Sequence, residues 1–122
     1  AGAAAEGVII TTSLDRDSTD PLAQAFIQGF QKKSGYPADM VSASTHTAVL
    51  VLAEAMKQVD PSDKAALRQA IASTSINAAT GNISFNKLGE VRKSVQVQVV
   101  RDGSWHHFAV ISDPVLLAPP EE

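Results

Sequence analysis

Three histidines, His46, His106 and His107, and an acidic run with Asp15, Asp17 and Asp20 are the side chains whose type and spacing could do chemistry. His106-His107 invites a metal reading. Neighbouring residues of a strand point to opposite faces, so the two rings cannot converge on one ion, and two separated ligands make no site. Asp15, Asp17 and Asp20 imitate half of a calcium loop, but the central glycine and closing glutamate are missing at the required spacing. A solvated acidic loop is the expectation there. Serine, histidine and aspartate are all present, yet no Gly-x-Ser-x-Gly elbow supports a nucleophile. The glycines are too scattered for a phosphate loop. No catalytic residue, metal ligand or cofactor is therefore assigned, and the chain does not read as an enzyme. His46 is different, because Ser44-Thr45-His46 stands where a helix is predicted to begin. The first N–H groups of a helix are free to meet an anion such as a ligand carboxylate. The plainer reading makes His46 an ordinary polar residue of a first turn.

The elements that must position these residues follow from pattern. Ala1 to Glu6 suits the tail of a helix ended by Gly7. Val8 to Thr12 is a short β-branched run, apolar on successive residues, which suits a strand covered on both faces in a parallel sheet. Asp20-Pro21 is a helix start, with Asp20 as cap. Leu22, Phe26 and Phe30 with Ile27 form its apolar stripe, and Gly35 stops it. A second helix is expected from near Ser42 or Ser44 to about Val59. Val49, Leu52, Ala53 and Met56 would be its buried stripe, widened by Leu50 and Val51. Asp60-Pro61-Ser62-Asp63 is a break and a new cap. The third helix, from Ser62 to about Ser73, would bury Leu67, Ala70 and Ile71 and expose Lys64, Arg68 and Gln69.

From Asn77 to Ile111 the chain reads as a short strand, a glycine-closed turn and a long hairpin. Asn86 to Gly89 suits a type I turn closed by a left-handed glycine. Asp102-Gly103 is a two-residue type I′ signal. It sets Val100 opposite Trp105 and Val99 opposite His106. Val95, Val97 and Val99 would then share the core face with His106, Phe108 and Val110. Gln96, Gln98 and Val100 would share a half-wet face with Trp105, His107 and Ala109. Phe108→Ala would cost on the order of 3–5 kcal/mol if that site is core.

The 122 residues are enough for one domain with a real core, 44% of them hydrophobic. A net charge of −3 gives no electrostatic case for nucleic acid or an anionic membrane as partner. No cysteine is present for a disulfide or a thiolate site. No apolar run approaches the ~20 residues a membrane helix needs. The start lacks the basic and long apolar regions of a signal peptide, so a signal, if the protein is exported, has been removed or lies upstream. The tail Ala118-Pro119-Pro120-Glu121-Glu122 is expected to be mobile.

Several stretches resemble one family in order. They are Ala4-Ala5-Glu6-Gly7-Val8, Asp20-Pro21 with Phe26, Ser42 to Met56, Asp63 to Ala72, and Thr80-Gly81-Asn82-Ile83-Ser84-Phe85 with Gly89-Glu90-Val91-Arg92-Lys93. Together they resemble the C-terminal part of periplasmic solute-binding proteins of the branched-chain amino-acid type, the substrate receptors of ABC importers. The resemblance implies an α/β fragment of the type I periplasmic-binding fold, with three helices, a short buried strand and a C-terminal hairpin. It implies one unit over residues 1–117 holding pieces of both lobes, with the chain crossing between lobes near Thr12-Ser13-Leu14 and again after Asn86.

In function it implies a periplasmic or extracytoplasmic receptor that binds a small polar organic ligand, an amino acid or related carboxylate, by lobe closure and feeds a membrane permease. His46 stands where the family has a cleft-facing aromatic, so the resemblance implies a ligand site of His46 with Thr45 and Ser44. Here both that aromatic and the following aspartate are replaced, which weakens an aliphatic amino acid as ligand. Two alternatives stay open: a ligand-sensing domain of a receptor or regulator, and an isolated fragment without ligand activity. Apolar stripes and a strand edge without their family neighbours predict a homo-oligomer, a dimer for which exchange of equivalent elements is a low-cost route.

Overall fold

Aspartate caps set the helices in the computed structural model, which describes residues 2–118. A 3-10 turn, Gly2–Ala5, leads to β1, Ile9–Thr12. Helix α1, Pro21–Ser34, is capped by Asp20, whose carboxylate accepts from the N–H groups of Leu22 and Ala23; Gly35 closes it at φ 77°. Helix α2, Met40–Met56, starts earlier than its serines suggest. Asp39 is the cap, and it forms a reciprocal pair with Ser42: the Ser42 N–H donates to Asp39 Oδ1 at 2.7 Å, and the Asp39 N–H donates to Ser42 Oγ at 3.0 Å. The Ser42 bonds hold the Asp39 carboxyl below its ordinary range. Helix α3, Lys64–Ser73, is capped by Asp63. Strands β2, Ile76–Ala78, β3, Gly81–Phe85, β4, Val91–Arg92, β5, Val95–Arg101, and β6, Ser104–Ile111, follow, and a short helix α4, Pro114–Leu117, comes last. Of the tail expected to be mobile, residues 119–122 lie outside the described residues.

The strands form two antiparallel sheets, ordered β1-β5-β6 and β2-β3-β4. The helices pack on one another and on β2 and β3. Phe26, Ile27 and Phe30 of α1 pack against Leu14, Ala38 and Ala43. The expected turns are present: Asp102 and Gly103 both have positive φ, as a type I′ turn requires, and Gly89 closes its turn at φ 85°. Gly81 is favoured by its φ of 94°, a backbone conformation that residues with a Cβ rarely adopt.

The chain passes from one sheet toward the other at two neighbouring points. Thr12 pairs with Gln96, and beside this pair Lys93 Nζ donates to Ser13 Oγ at 2.6 Å. Burial pushes the Lys93 amine below its ordinary value.

Three burial expectations are corrected. Strand β1 is not covered on both faces and has no parallel neighbour; it is an edge strand, antiparallel to β5, with Ile9 53% exposed. Four β-branched residues favour a strand but do not record what lies beside it. In α2 the buried stripe is Ala43, Thr47, Val51 and Ala55, while Val49 is 60% exposed and Leu50, Leu52 and Met56 also face outward. The small residues let neighbouring elements approach closely, and the long ones find no element over them. In the hairpin, Val100 pairs with Trp105 and Val99 with His106 as predicted, but a bulge interrupts the ladder. Val97 faces Ala109 and Gln98 faces His107, so Phe108 is the extra residue. Val97 is buried, whereas Phe108 is 50% exposed and Gln98 is fully buried.

Two outcomes follow. In urea melts, Phe108→Ala will cost on the order of 1 kcal/mol, whereas Ile83→Ala, at a buried site, will cost about 2–5 kcal/mol; equal losses would contradict the bulged register. Lys93, with its folded-state value lowered, stabilises least while charged, and stability rises with pH through the lowered value toward 10.5. The gain in stability of Lys93→Met over the parent chain will therefore shrink as the pH rises toward 10.5.

Candidate functional site

The α1 and α2 helices enclose a groove of about 490 Å³ between Ala25, Phe26, Gly29, Phe30, Lys33 and His46. The i, i+4 spacing of Phe26 and Phe30 puts both rings on one side of α1, 5.7 Å apart. Ala25 and Gly29 lack bulk beside them and leave the groove open. His46 stands on the facing helix, exposed, with its ring 4.9 Å from that of Phe26 at 34°. The groove thus offers two aromatic faces, one imidazole and one ammonium. Those groups can hold a flat or apolar body with a negative end.

Because α2 begins at Met40, His46 lies in the second turn rather than the first. The free N–H groups of this helix belong to residues before Ser44, and that of Ser42 is already taken by Asp39. Capture of an anion by the helix N-terminus is therefore not the basis of a site at His46. The three expected residues do not converge. Two positions along a helix turn the side chain by about 200°, so Ser44 lines a different cavity, beside Thr47 and Val51, while His46 lines the groove. Thr45 is exposed between them.

The acidic run is solvated at Asp17 and Asp20 but not at Asp15. Asp15 is buried, and its Oδ1 accepts from the Asp17 N–H at 3.0 Å and from Gln98 Nε2 at 3.3 Å. Arg16 Nη1 donates to Gln98 Oε1 at 3.1 Å. His107 Nδ1 pairs with Asp15 Oδ2, and His106 Nδ1 with Asp17 Oδ2 at 3.0 Å. Each histidine takes its own aspartate, and among the described residues no group of three or more His, Cys, Asp or Glu gathers as a metal set. The partners are some 90 positions apart, so nothing local announced the cluster. The alternation Asp15-Arg16-Asp17 opposite two adjacent histidines is the only signal, and it is read only after the hairpin is placed. Among the described residues no helix is long and apolar enough to cross a membrane.

The profile of the periplasmic binding protein family matches residues 1–104. A comparison with curated proteins returned no match. Among solved structures, a leucine-binding protein from Thermotoga maritima is 29% identical with a TM-score of 0.82, over 93% of this chain and 33% of that one. A leucine-, isoleucine-, valine-, threonine- and alanine-binding protein from Brucella ovis, in its closed conformation, is similar in fold at 22% identity and TM-score 0.84, over 98% of this chain and 34% of that one. A solute-binding protein of an ABC transporter from R. palustris, in complex with benzoate, shares the fold at 19% identity and TM-score 0.81, over 89% and 31%. The chain spans about a third of the length of these structures. The α/β fold expected from the resemblance, part of a type I periplasmic-binding fold, is the fold observed. With the family profile covering residues 1–104 and the fold matched along nearly the whole chain, the protein belongs to the periplasmic binding protein family.

Proposed function

We propose that this chain is the C-terminal part of an extracytoplasmic solute-binding protein that delivers a small polar organic ligand, an amino acid or related carboxylate, to the permease of an ABC importer. Family membership carries the reading, and the likeness to a leucine-binding protein at 29% identity supports it. The chain would hold pieces of both lobes, crossing at Ser13 and Lys93, and would act by lobe closure without covalent chemistry. Within it, His46 is the leading ligand contact, while Thr45 and Ser44, on the same turn of α2, face away from its groove. The placement of His46 at the mouth of a groove walled by Phe26 and Phe30 supports that role, and Lys33 supplies a positive charge for a carboxylate.

Self-association is the second part of the proposal. Val49, Leu52 and Met56 stand exposed along α2 and Leu22 along α1, and β1 presents an apolar edge. Exposed apolar surface of this kind favours pairing with a second copy when nothing else covers it. A pair would bury above roughly 1,000 Å² in total if it is specific.

Two measurements check these points. In a receptor of full length, His46→Ala will weaken calorimetric binding of leucine or benzoate about tenfold, with a melting shift under about 4 °C; unaltered affinity would remove His46 from the site. Sedimentation of the 122-residue chain at micromolar concentration will give a dimer. A monomer with a cooperative melt would show that the chain closes its own core.

A further inference from the structure

A second cavity, of about 390 Å³, opens between α2, α3 and the β2-β3-β4 sheet, away from the His46 groove. Its walls are Val51, Leu52, Ile71, Ile83, Phe85 and Val91. Thr47 and Thr80 also line it, but their hydroxyls bond to each other at 3.0 Å, and Thr47 also donates to the Ala43 carbonyl. They offer a visiting polar group little. What remains is at one side: Lys93 with the hydroxyls of Ser13 and Ser44. The Lys93 ammonium is half-buried, and its one side-chain bond runs to the neutral Ser13 Oγ. Among the described residues it makes no ion pair. A partly desolvated cation with only a neutral partner attracts an anion. No aspartate or glutamate lines the cavity, so nothing there balances an ammonium group.

We infer that this cavity binds a monocarboxylate with an apolar chain, its carboxylate on Lys93, Ser13 and Ser44 and its tail among Val51, Ile71, Ile83 and Phe85. The volume lies within the range of small-ligand pockets, and a lining of apolar walls with a few convergent polar groups is their usual make-up. The lack of an acidic residue selects against a zwitterion, so this is a site for a fatty-acid-like anion rather than a free amino acid. The inference goes beyond the receptor reading and does not depend on His46. The two crossing points of the chain, at Ser13 and Lys93, would both touch the bound carboxylate.

The test is isothermal titration of the 122-residue chain with octanoate, octanol and leucine, at a concentration where sedimentation shows a single species. Octanoate should bind saturably, more tightly than octanol, and leucine should not compete with it. Lys93→Met should weaken octanoate about tenfold or more and leave octanol unchanged. Ala48→Phe, which fills the cavity from its wall, should abolish both, with circular dichroism and the melting temperature reporting that the fold is kept. Should Ala48→Phe fail to fold, Val91→Trp, on the exposed rim, replaces it. Non-saturable uptake, equal octanoate affinity in Lys93→Met, competition by leucine, or octanoate binding untouched in the filled variant would each overturn the assignment. So would octanoate binding that vanishes only as the chain self-associates, since the cavity would then be part of an interface.

Discussion

The buried side chain of Gln98 is the constraint on which the arrangement depends. A carboxamide with no exposure in the middle of a sheet must have its polar atoms satisfied, since leaving them bare is costly. Arg16 and Asp15 supply the partners. Those bonds hold the loop after β1 over the hairpin. Asp15 in turn meets His107, and Asp17 meets His106, so the first loop and the last long strand are fixed to each other through four side chains. Leu14, buried within the same loop, carries the connection on to Ala38, Ala43 and the aromatic stripe of α1. Phe26 and Phe30, packed there, also line the groove that holds His46.

The rest of the core is thin, and the reason is visible along α2. Its buried line is made of alanines, a threonine and a valine, while its larger side chains face away. Small residues pack helices closely but remove little apolar area from water. The long side chains of α2, Val49, Leu50, Leu52 and Met56, add nothing to the core from where they stand.

Local signals in the sequence carried the elements well and their surroundings poorly. Asp20-Pro21, Gly35, Asp63, Gly89 and Asp102-Gly103 act through bonds within a few residues, and each ended or turned the chain where its type demanded. Ser42 and Ser44 compete with Asp39 as caps in the sequence, and only the reciprocal bond of Asp39 with Ser42 decides among them. Burial is another matter. Alternation placed Phe108 in the core and Gln98 on the wet side, and one bulged residue was enough to undo it. Val8 to Thr12 looked central because apolar β-branched residues look alike on an edge and in the middle of a sheet. The ligand triplet failed to converge for a geometric reason: adjacency in sequence on a helix is divergence in space. The acidic cluster and Lys93 were invisible for the opposite reason, since their partners lie some 80 to 90 residues away.

The paired connectors have a mechanical meaning. Thr12 and Gln96 are ladder partners, and Ser13 and Lys93 are bonded just beyond them, so the two passages between the sheets run side by side. A single connecting strand would be a swivel, free to turn about its own length. Two strands laced together resist that torsion and yield chiefly by bending across their common width, as a strap does. A motion of one sheet against the other would thereby meet more resistance to twisting than to bending, with the lysine–serine bond part of that resistance.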